Sequence, residues 1–265
     1  MSCNTANSYD VEPHIAEIYD QVEAFTDDVQ LVRRLIGSCR RLRILEPFCG
    51  TGRILIRLVL DGHELVGLDQ AQGMLARARA KIAQLPENVQ RRITLIEADV
   101  TREAWPRGFG LVVLGGNCFY ELATPQEQEG CIVSAAASLR PGGCIYVDND
   151  YMEGDLDQAW QKPGVSQGFP SGTCADGTRI ESTTETIWYD VPRRLARFRR
   201  RTQVTLPDGS VVEQEYIQQT HPVSTAEVQT WLESQGFIVE RLYGDRAGNL
   251  YSETSQRAIF WARKG

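Results

Sequence analysis

At 265 residues, with 42% hydrophobic and 24% charged residues, the composition is that of an ordinary globular protein, and no apolar run approaches the ~18 residues of a membrane span. A net charge of −7 speaks against nucleic-acid binding through phosphate neutralisation and favours small-molecule ligands. Residues 1–12 are polar and acidic, unlike a secretory signal, so a cytoplasmic location is expected, and seven scattered cysteines without a C-x-x-C pair point to reduced thiols rather than disulfides or a metal site.

Apolar residues recur at helical spacing over 14–25 and 27–36, so two helices are expected before the first strand. A β-rich run at 42–45 ends in Glu46-Pro47-Phe48-Cys49-Gly50-Thr51-Gly52, and helical spacing resumes over 53–60: strand, glycine turn, helix. A second strand at 64–68 closes on Asp69, with a helix over 73–85. Further strands are expected at 93–96, 111–114 and 144–147, with a helix over 126–139. Such alternation argues for a parallel sheet covered on both faces. Arg140-Pro141-Gly142-Gly143 reads as a stop and turn before the fifth strand. From 154 to 222 the pattern changes to alternating Thr, Tyr, Val and Ile between turns such as Ala175-Asp176-Gly177 and Pro207-Asp208-Gly209. This predicts inserted antiparallel strands. Within it the basic run Arg193, Arg194, Arg197, Arg199, Arg200 and Arg201 suggests a local phosphate-binding patch, with a solvated strand face and turn as the plainer and favoured reading. A helix over 224–235, with Ser224 and Glu227 as a capping box, and two strands at 237–243 and 257–263 end the chain.

The functional signal starts at the glycine turn, where Gly50 and Gly52 let a ligand approach the main chain and the helix from Arg53 adds its N-terminal N–H groups. Asp69, nineteen residues after Gly50, stands where a carboxylate can accept bonds from two ribose hydroxyls. Position 55 is Leu rather than a third glycine, and no Gly-Lys-Ser/Thr follows; a nucleoside without phosphates fits better than a dinucleotide or triphosphate. Asp99 and Val100, after the third strand, suit an adenine amino group and ring nitrogen, while a turn or cap is the plain alternative for Asp99. The fourth strand ends in Leu114-Gly115-Gly116-Asn117, whose small residues leave room for a ligand tail and an arriving substrate.

In order and spacing, Glu46-x-x-x-Gly50-Thr51-Gly52-Arg53, Asp69, Ala98-Asp99-Val100 and Leu139-Arg140-Pro141-Gly142-Gly143 resemble the motifs of the class I S-adenosylmethionine-dependent methyltransferases. The resemblance implies a Rossmann-like methyltransferase fold: α/β, doubly wound, a seven-stranded mostly parallel sheet with the last strand antiparallel, here carrying an inserted antiparallel β subdomain. It implies S-adenosyl-L-methionine as cofactor, bound by Glu46, Phe48, Gly50, Gly52, Arg53, Asp69, Gln70, Met74, Asp99, Val100, Leu114 and Gly115. The chain then divides into a helical lid (1–40), a cofactor-binding core (41–150), the insertion (151–222), and a helix and hairpin completing the sheet (223–265).

Residues 114–122, the insertion and Tyr243-Gly244-Asp245 further resemble the glycine and sarcosine N-methyltransferase group. That likeness implies an amine acceptor near Asn117, with tyrosines such as Tyr9 and Tyr19 closing over the cofactor. Those enzymes hold a substrate carboxylate with an arginine after the fifth strand, where this chain has Asp148-Asn149-Asp150-Tyr151, which turns the expectation toward a neutral or cationic amine. Asp150, Tyr151 and Tyr243 are the candidates for orienting the acceptor, with His14 and His221 as further bases. The alternatives are a small-molecule acceptor of another class, an oxygen nucleophile or a thiol- or arsenic-type one using Cys49, Cys118 or Cys174, and a non-catalytic cofactor sensor. The inserted strands offer a pairing surface for a second copy of the chain.

Overall fold

The computed structural model describes residues 13–37, 41–150 and 164–265. In chain order the elements are α1 (Pro13–Val22), α2 (Asp27–Ile36), β1 (Arg43–Pro47), α3 (Arg53–Leu60), β2 (Glu64–Asp69), α4 (Gln72–Ile82), α5 (Glu87–Gln90), β3 (Ile93–Glu97), β4 (Phe109–Leu114), α6 (Pro125–Ser138) and β5 (Leu139–Asp150). They continue with β6 (Val165–Gln167), β7 (Gly172–Thr173), β8 (Arg179–Asp190), β9 (Leu195–Thr205), β10 (Val211–Thr220), α7 (Thr225–Ser234), β11 (Phe237–Tyr243) and β12 (Arg257–Lys264).

Seven strands form one sheet in the order β11-β12-β5-β4-β1-β2-β3. β1 to β5 run parallel, and β12 lies antiparallel to both β5 and β11. The reason is visible in the strand residues, which are apolar at consecutive rather than alternate positions, as strands covered on both faces must be. Ile44, Leu65, Leu111, Val113, Tyr146 and Ile259 join one core with α2 and α3. Their neighbours Leu45, Val66, Val112, Leu114, Ile145 and Phe260 join the other, under α6 and α7.

The second sheet is antiparallel, in the order β10-β9-β8-β6, with β7 paired to β8. α1 sits between the two sheets. Its Ile15 and Ile18 pack against Cys174, Ile180 and Val204 of the insertion, while Ala16 and Tyr19 meet Ala71 and Met74 beside α4. Thus the first helix is a joint between core and insertion.

Two local expectations change. Arg140–Gly143 is not a turn ahead of the fifth strand: pairing runs Phe109↔Leu139 and resumes at Leu111↔Cys144, so the segment loops out as a bulge inside β5. Gly142, at φ +71°, supplies the left-handed residue a bulge of this kind uses. The first helix ends at Val22 rather than 25, which frees Glu23 and Phe25 to face inward. The capping box at Ser224 and Glu227 is present, and a second one, Thr124 with Glu127, starts α6; each satisfies two orphan N–H groups.

Candidate functional site

A cavity of about 620 Å³ opens at the carboxyl ends of β1, β2, β4 and β5 and is roofed by α1 and the inserted sheet. Its position is the one open α/β sheets reserve for ligands, and its size lies within the usual range for small molecules.

The floor is the glycine turn. Gly50 and Gly52 adopt φ +51° and +78°, left-handed values that a side chain would strain, and Phe48 shares that region at φ +60°. Asp69 holds the turn down: its Oδ2 accepts from the Gly50 N–H at 2.7 Å and its Oδ1 from the Ala71 N–H at 2.9 Å. From above, Asp20 of α1 accepts from Thr51 Oγ1 at 2.5 Å, Lys81 Nζ at 2.7 Å and Arg77 Nε at 2.9 Å. One carboxylate therefore ties α1 to both the turn and α4.

Two buried polar atoms at this end have no hydrogen-bond partner among the described residues, Oε2 of Glu46 and Nε of Arg53. Burial pushes the Glu46 carboxyl up to about 8, and the Arg53 guanidinium moderates the rise. The terminal nitrogens of Arg53 grip Asp28, Nη1 to Oδ1 at 2.9 Å and Nη2 to Oδ2 at 2.5 Å. The Phe25 carbonyl takes the second hydrogen of Nη1 at 3.0 Å, so Nε and one N–H of Nη2 remain for a ligand. Phe25 lies between two guanidiniums, 4.0 Å from Arg53 and 4.4 Å from Arg246.

Asp99 and Val100 border the cavity on the far side of the turn, with Gln70 and Met74 between. Asp99 Oδ1 accepts from the Thr101 N–H at 2.9 Å and the Thr101 hydroxyl at 2.6 Å, and Oδ2 lies 3.3 Å from the exposed Arg102. The turn role and the cavity position coexist.

At the ends of β4 and β5, Asn117 takes the left-handed conformation at φ +60°. It donates from Nδ2 to Asp150 Oδ2 at 2.6 Å and accepts the Asp150 N–H on Oδ1 at 2.9 Å. Asp150 also pairs with Arg257, whose Nη1 reaches the fully buried Asp148 at 2.5 Å. Arg246 Nε donates to the same Asp148 at 2.8 Å. Glu23 faces this cavity as a half-buried carboxylate that accepts no hydrogen bond from the described residues. Burial raises its carboxyl above the ordinary value, partly offset by Arg53 and Arg246.

Of the residues singled out from sequence, Tyr19, Glu46, Phe48, Cys49, Gly50, Arg53, Asp69, Gln70, Met74, Asp99, Val100, Gly115, Asn117, Cys118, Asp150 and His221 border this cavity. Leu114, Gly52 and Tyr243 do not. Leu114 is fully buried in the core under α6 and α7, because the strand's alternation sends it down and leaves Gly115 at the edge. Gly52 lies behind the turn, where its added Cβ would meet the Ile56 side chain at 3.4 Å. Tyr243 pairs with Ile259 and packs against the α2–α3 core; the turn after it, closed by Asp245 on the Gly248 and Asn249 N–H groups, carries Arg246 into the cavity instead. Tyr9 and Tyr151 lie outside the described residues. His14 pairs with Asp176 at 3.1 Å away from the cavity. His221 is buried, its Nδ1 2.7 Å from Gln128 Oε1 and its Nε2 3.4 Å from Glu227. Gln128 gives its amide N–H groups to the Phe119 and His221 carbonyls, so its oxygen must be an acceptor and the ring donates to it. Burial raises the Glu227 carboxyl, but hydrogen bonds from His221 and Ser224 outweigh this and bring it down to about 2. Both ring nitrogens are thereby engaged, and His221 is a structural tie.

Sequence reasoning missed Glu23, Arg246 and Arg257, and named Arg200 only as a member of the basic run. Glu23 sits in a loop read as helix. The arginines come from strands and turns far along the chain, where only the basic run around Arg200 left a trace.

Residues 44–143 match the family described as methyltransferase domain. The glycine/sarcosine N-methyltransferase of Aphanothece halophytica is 25% identical over 222 residues, covering 84% of this chain and 76% of that protein. Among solved structures, a S-adenosylmethionine-dependent methyltransferase from Clostridium acetobutylicum ATCC 824 shares the fold with a TM-score of 0.73 at 13% identity, over 95% of this chain and 98% of that one. The sugar N-methyltransferase KedS8 from Streptoalloteichus sp. ATCC 53650 does so with a TM-score of 0.69 at 18% identity, over 100% and 98%. The matched region contains the glycine turn and both acids behind it, and the chain carries a methyltransferase domain of the S-adenosylmethionine-dependent class I kind.

Proposed function

We propose that the enzyme methylates the nitrogen of a small amine. The observation that carries this reading is Glu23, a half-buried carboxylate in the cavity wall that accepts no hydrogen bond from the described residues. An ammonium has no lone pair to offer, so an amine acceptor needs a group to take its proton, and its charge is attracted by the carboxylate; a phenol or thiol acceptor also has a proton to lose but arrives neutral and lacks that attraction. The N-methyltransferase names of the Aphanothece relative and of KedS8 support the same atom.

When bound, S-adenosylmethionine supplies a methyl group on a sulfonium that is its own leaving group. The residues fit it. The unpartnered Glu46 Oε2 and Arg53 Nε match the ammonium and carboxylate of its amino-acid end, Asp69 the ribose hydroxyls, and Asp99 with Val100 the adenine edge. Tyr19 and Phe169, whose rings meet edge to face at 5.9 Å, close the roof against water. Asn117 and Asp150 are locked to each other and to Arg257, so their work is to hold the acceptor's position rather than to move a proton. Glu23 would receive the ammonium proton and leave the nitrogen lone pair free to face the methyl donor in line.

A tritiated-methyl transfer screen over pooled amines, phenols and thiols tests the acceptor atom. Transfer confined to the amine pool is expected, and Glu23→Gln should lower kcat/KM for the amine. Transfer to phenols with a silent amine pool would overturn the reading. A thiol- or arsenic-type acceptor assisted by Cys49 or Cys118 is disfavoured because burial raises both thiols well above their ordinary value.

A further inference from the structure

The basic run on β9 is not a uniform solvent face. Arg197, Arg199 and Arg201 point outward and bind Gln219, Glu185 and Glu215, at 2.9, 2.7 and 2.6 Å. Arg200, on the opposite side of the same strand with the buried Phe198 and Thr202, turns into the cavity wall. Its cross-strand neighbours are Thr184 and Tyr216.

Every other cation of the cavity has a carboxylate: Arg53 has Asp28, Arg246 and Arg257 have Asp148, and Arg102 has Asp99. Arg200 has none within ion-pair distance among the described residues. Its three hydrogen bonds go to neutral oxygens, from Nε to Gln218 Oε1 at 2.8 Å, from Nη1 to Thr184 Oγ1 at 2.9 Å and from Nη2 to the Tyr120 hydroxyl at 2.8 Å. Glu121 acts on it only at a distance. A guanidinium carries five N–H groups, so one remains on each terminal nitrogen. Neutral partners fix the plane of the group without neutralising it. A desolvated cation left without a counter-ion is a standing cost to the fold, and one held rigidly at a ligand cavity is preorganised for an oxyanion.

We infer that Arg200, oriented by Tyr120, Thr184 and Gln218, is the specificity determinant of the acceptor site and takes a carboxylate or phosphate carried by the amine that is methylated. The acceptor class is then an amine bearing an oxyanion, in place of the neutral or cationic amine expected from Asp148 to Tyr151. The inference rests on the amine reading above, with the cofactor's own carboxylate assigned to Arg53.

The test uses the full chain and three matched probes, ethylamine, β-alanine and O-phosphoethanolamine. Calorimetric titration with S-adenosylmethionine comes first, and equal affinity is expected for wild type and Arg200→Gln. Failure of wild type to bind would overturn the underlying cofactor assignment, and the anchor with it. Each probe is then titrated into the complex with the demethylated cofactor, S-adenosylhomocysteine, and assayed for methyl transfer. Wild type should prefer one anionic amine over ethylamine by about 10- to 100-fold, carried by KM rather than kcat. Whichever of β-alanine and O-phosphoethanolamine is preferred identifies the carboxylate or the phosphate. Arg200→Gln should abolish that preference by raising KM for the anionic amine. Arg200→Lys, which keeps the charge and loses the fork, should retain part of it, and it serves as the test if Arg200→Gln does not fold. No preference for either anionic amine in wild type, or an undiminished preference in both variants, would overturn the proposal while cofactor binding stands.

Discussion

Glu46 and Asp69 show how single carboxylates with similar burial acquire different tasks. Asp69 is tied to two backbone N–H groups before any ligand arrives. Replacing it by Ala should weaken cofactor affinity by about 1–3 kcal/mol and lower the melting temperature as well, since the glycine turn loses its anchor; calorimetric titration and thermal unfolding measure the two effects, and unchanged affinity would move the ribose elsewhere. Glu46 holds its proton up to about 8. The folded chain therefore binds that proton more tightly than the unfolded one. This contribution to stability is complete below the ordinary value of 4.5 and is lost as pH rises through about 8. Ligand-free protein should lose stability over this interval, and Glu46→Gln should remove that component. A cofactor ammonium beside Glu46 favours the charged carboxylate, so binding near neutral pH should release up to about one proton. Titrations in buffers of different ionisation enthalpy count it, and Glu46→Gln should reduce the release.

At the scale of elements, α1 and α2 are held by ion pairs as well as by their packed apolar faces. The Arg53–Asp28 fork joins α3 to α2 with exposures of only 8% and 0%, so Asp28→Ala leaves a buried guanidinium unpaired. A loss of about 3–5 kcal/mol is expected in chemical denaturation. A loss below about 1 kcal/mol would mean that water replaces the carboxylate. Asp20 is the corresponding latch for α1. Asp20→Asn keeps the size but weakens the bonds from Lys81, Arg77 and Thr51, and cofactor affinity should fall by about 1 kcal/mol. Helix existence was legible here from apolar spacing, while the end of α1 was not: residues 23–25 continue the periodic pattern, yet Glu23 and Phe25 are drawn to the cavity and to the guanidiniums of Arg53 and Arg246.

For the whole molecule, the cavity is walled by units distant in sequence, with the core sheet as floor and α1 and the inserted strands as roof. Cofactor binding should therefore slow amide hydrogen exchange in α1 as well as in the glycine turn. Mass-spectrometric exchange over 13–22 measures it, and protection confined to the turn would show that α1 is not part of the bound site.

The sequence by itself determined the order of strands and helices, the doubly wound sheet, the glycine turn and the two acids behind it. These are local signals: periodicity, left-handed glycines, and an acid at a strand end, all within about a hundred consecutive residues. Asp69 and Asp99 are separated from the turn by short βα units of nearly fixed length, so spacing alone places them. Only the tertiary structure decided the charge of the acceptor wall. Arg200, Arg246 and Arg257 stand 50 or more residues beyond Asp150 in the chain, and whether each cation is neutralised depends on strand alternation, a turn after β11 and pairing across β12. Two like arginines one position apart in sequence then face opposite sides of a sheet, one into solvent and one into the cavity, because side chains on a strand alternate.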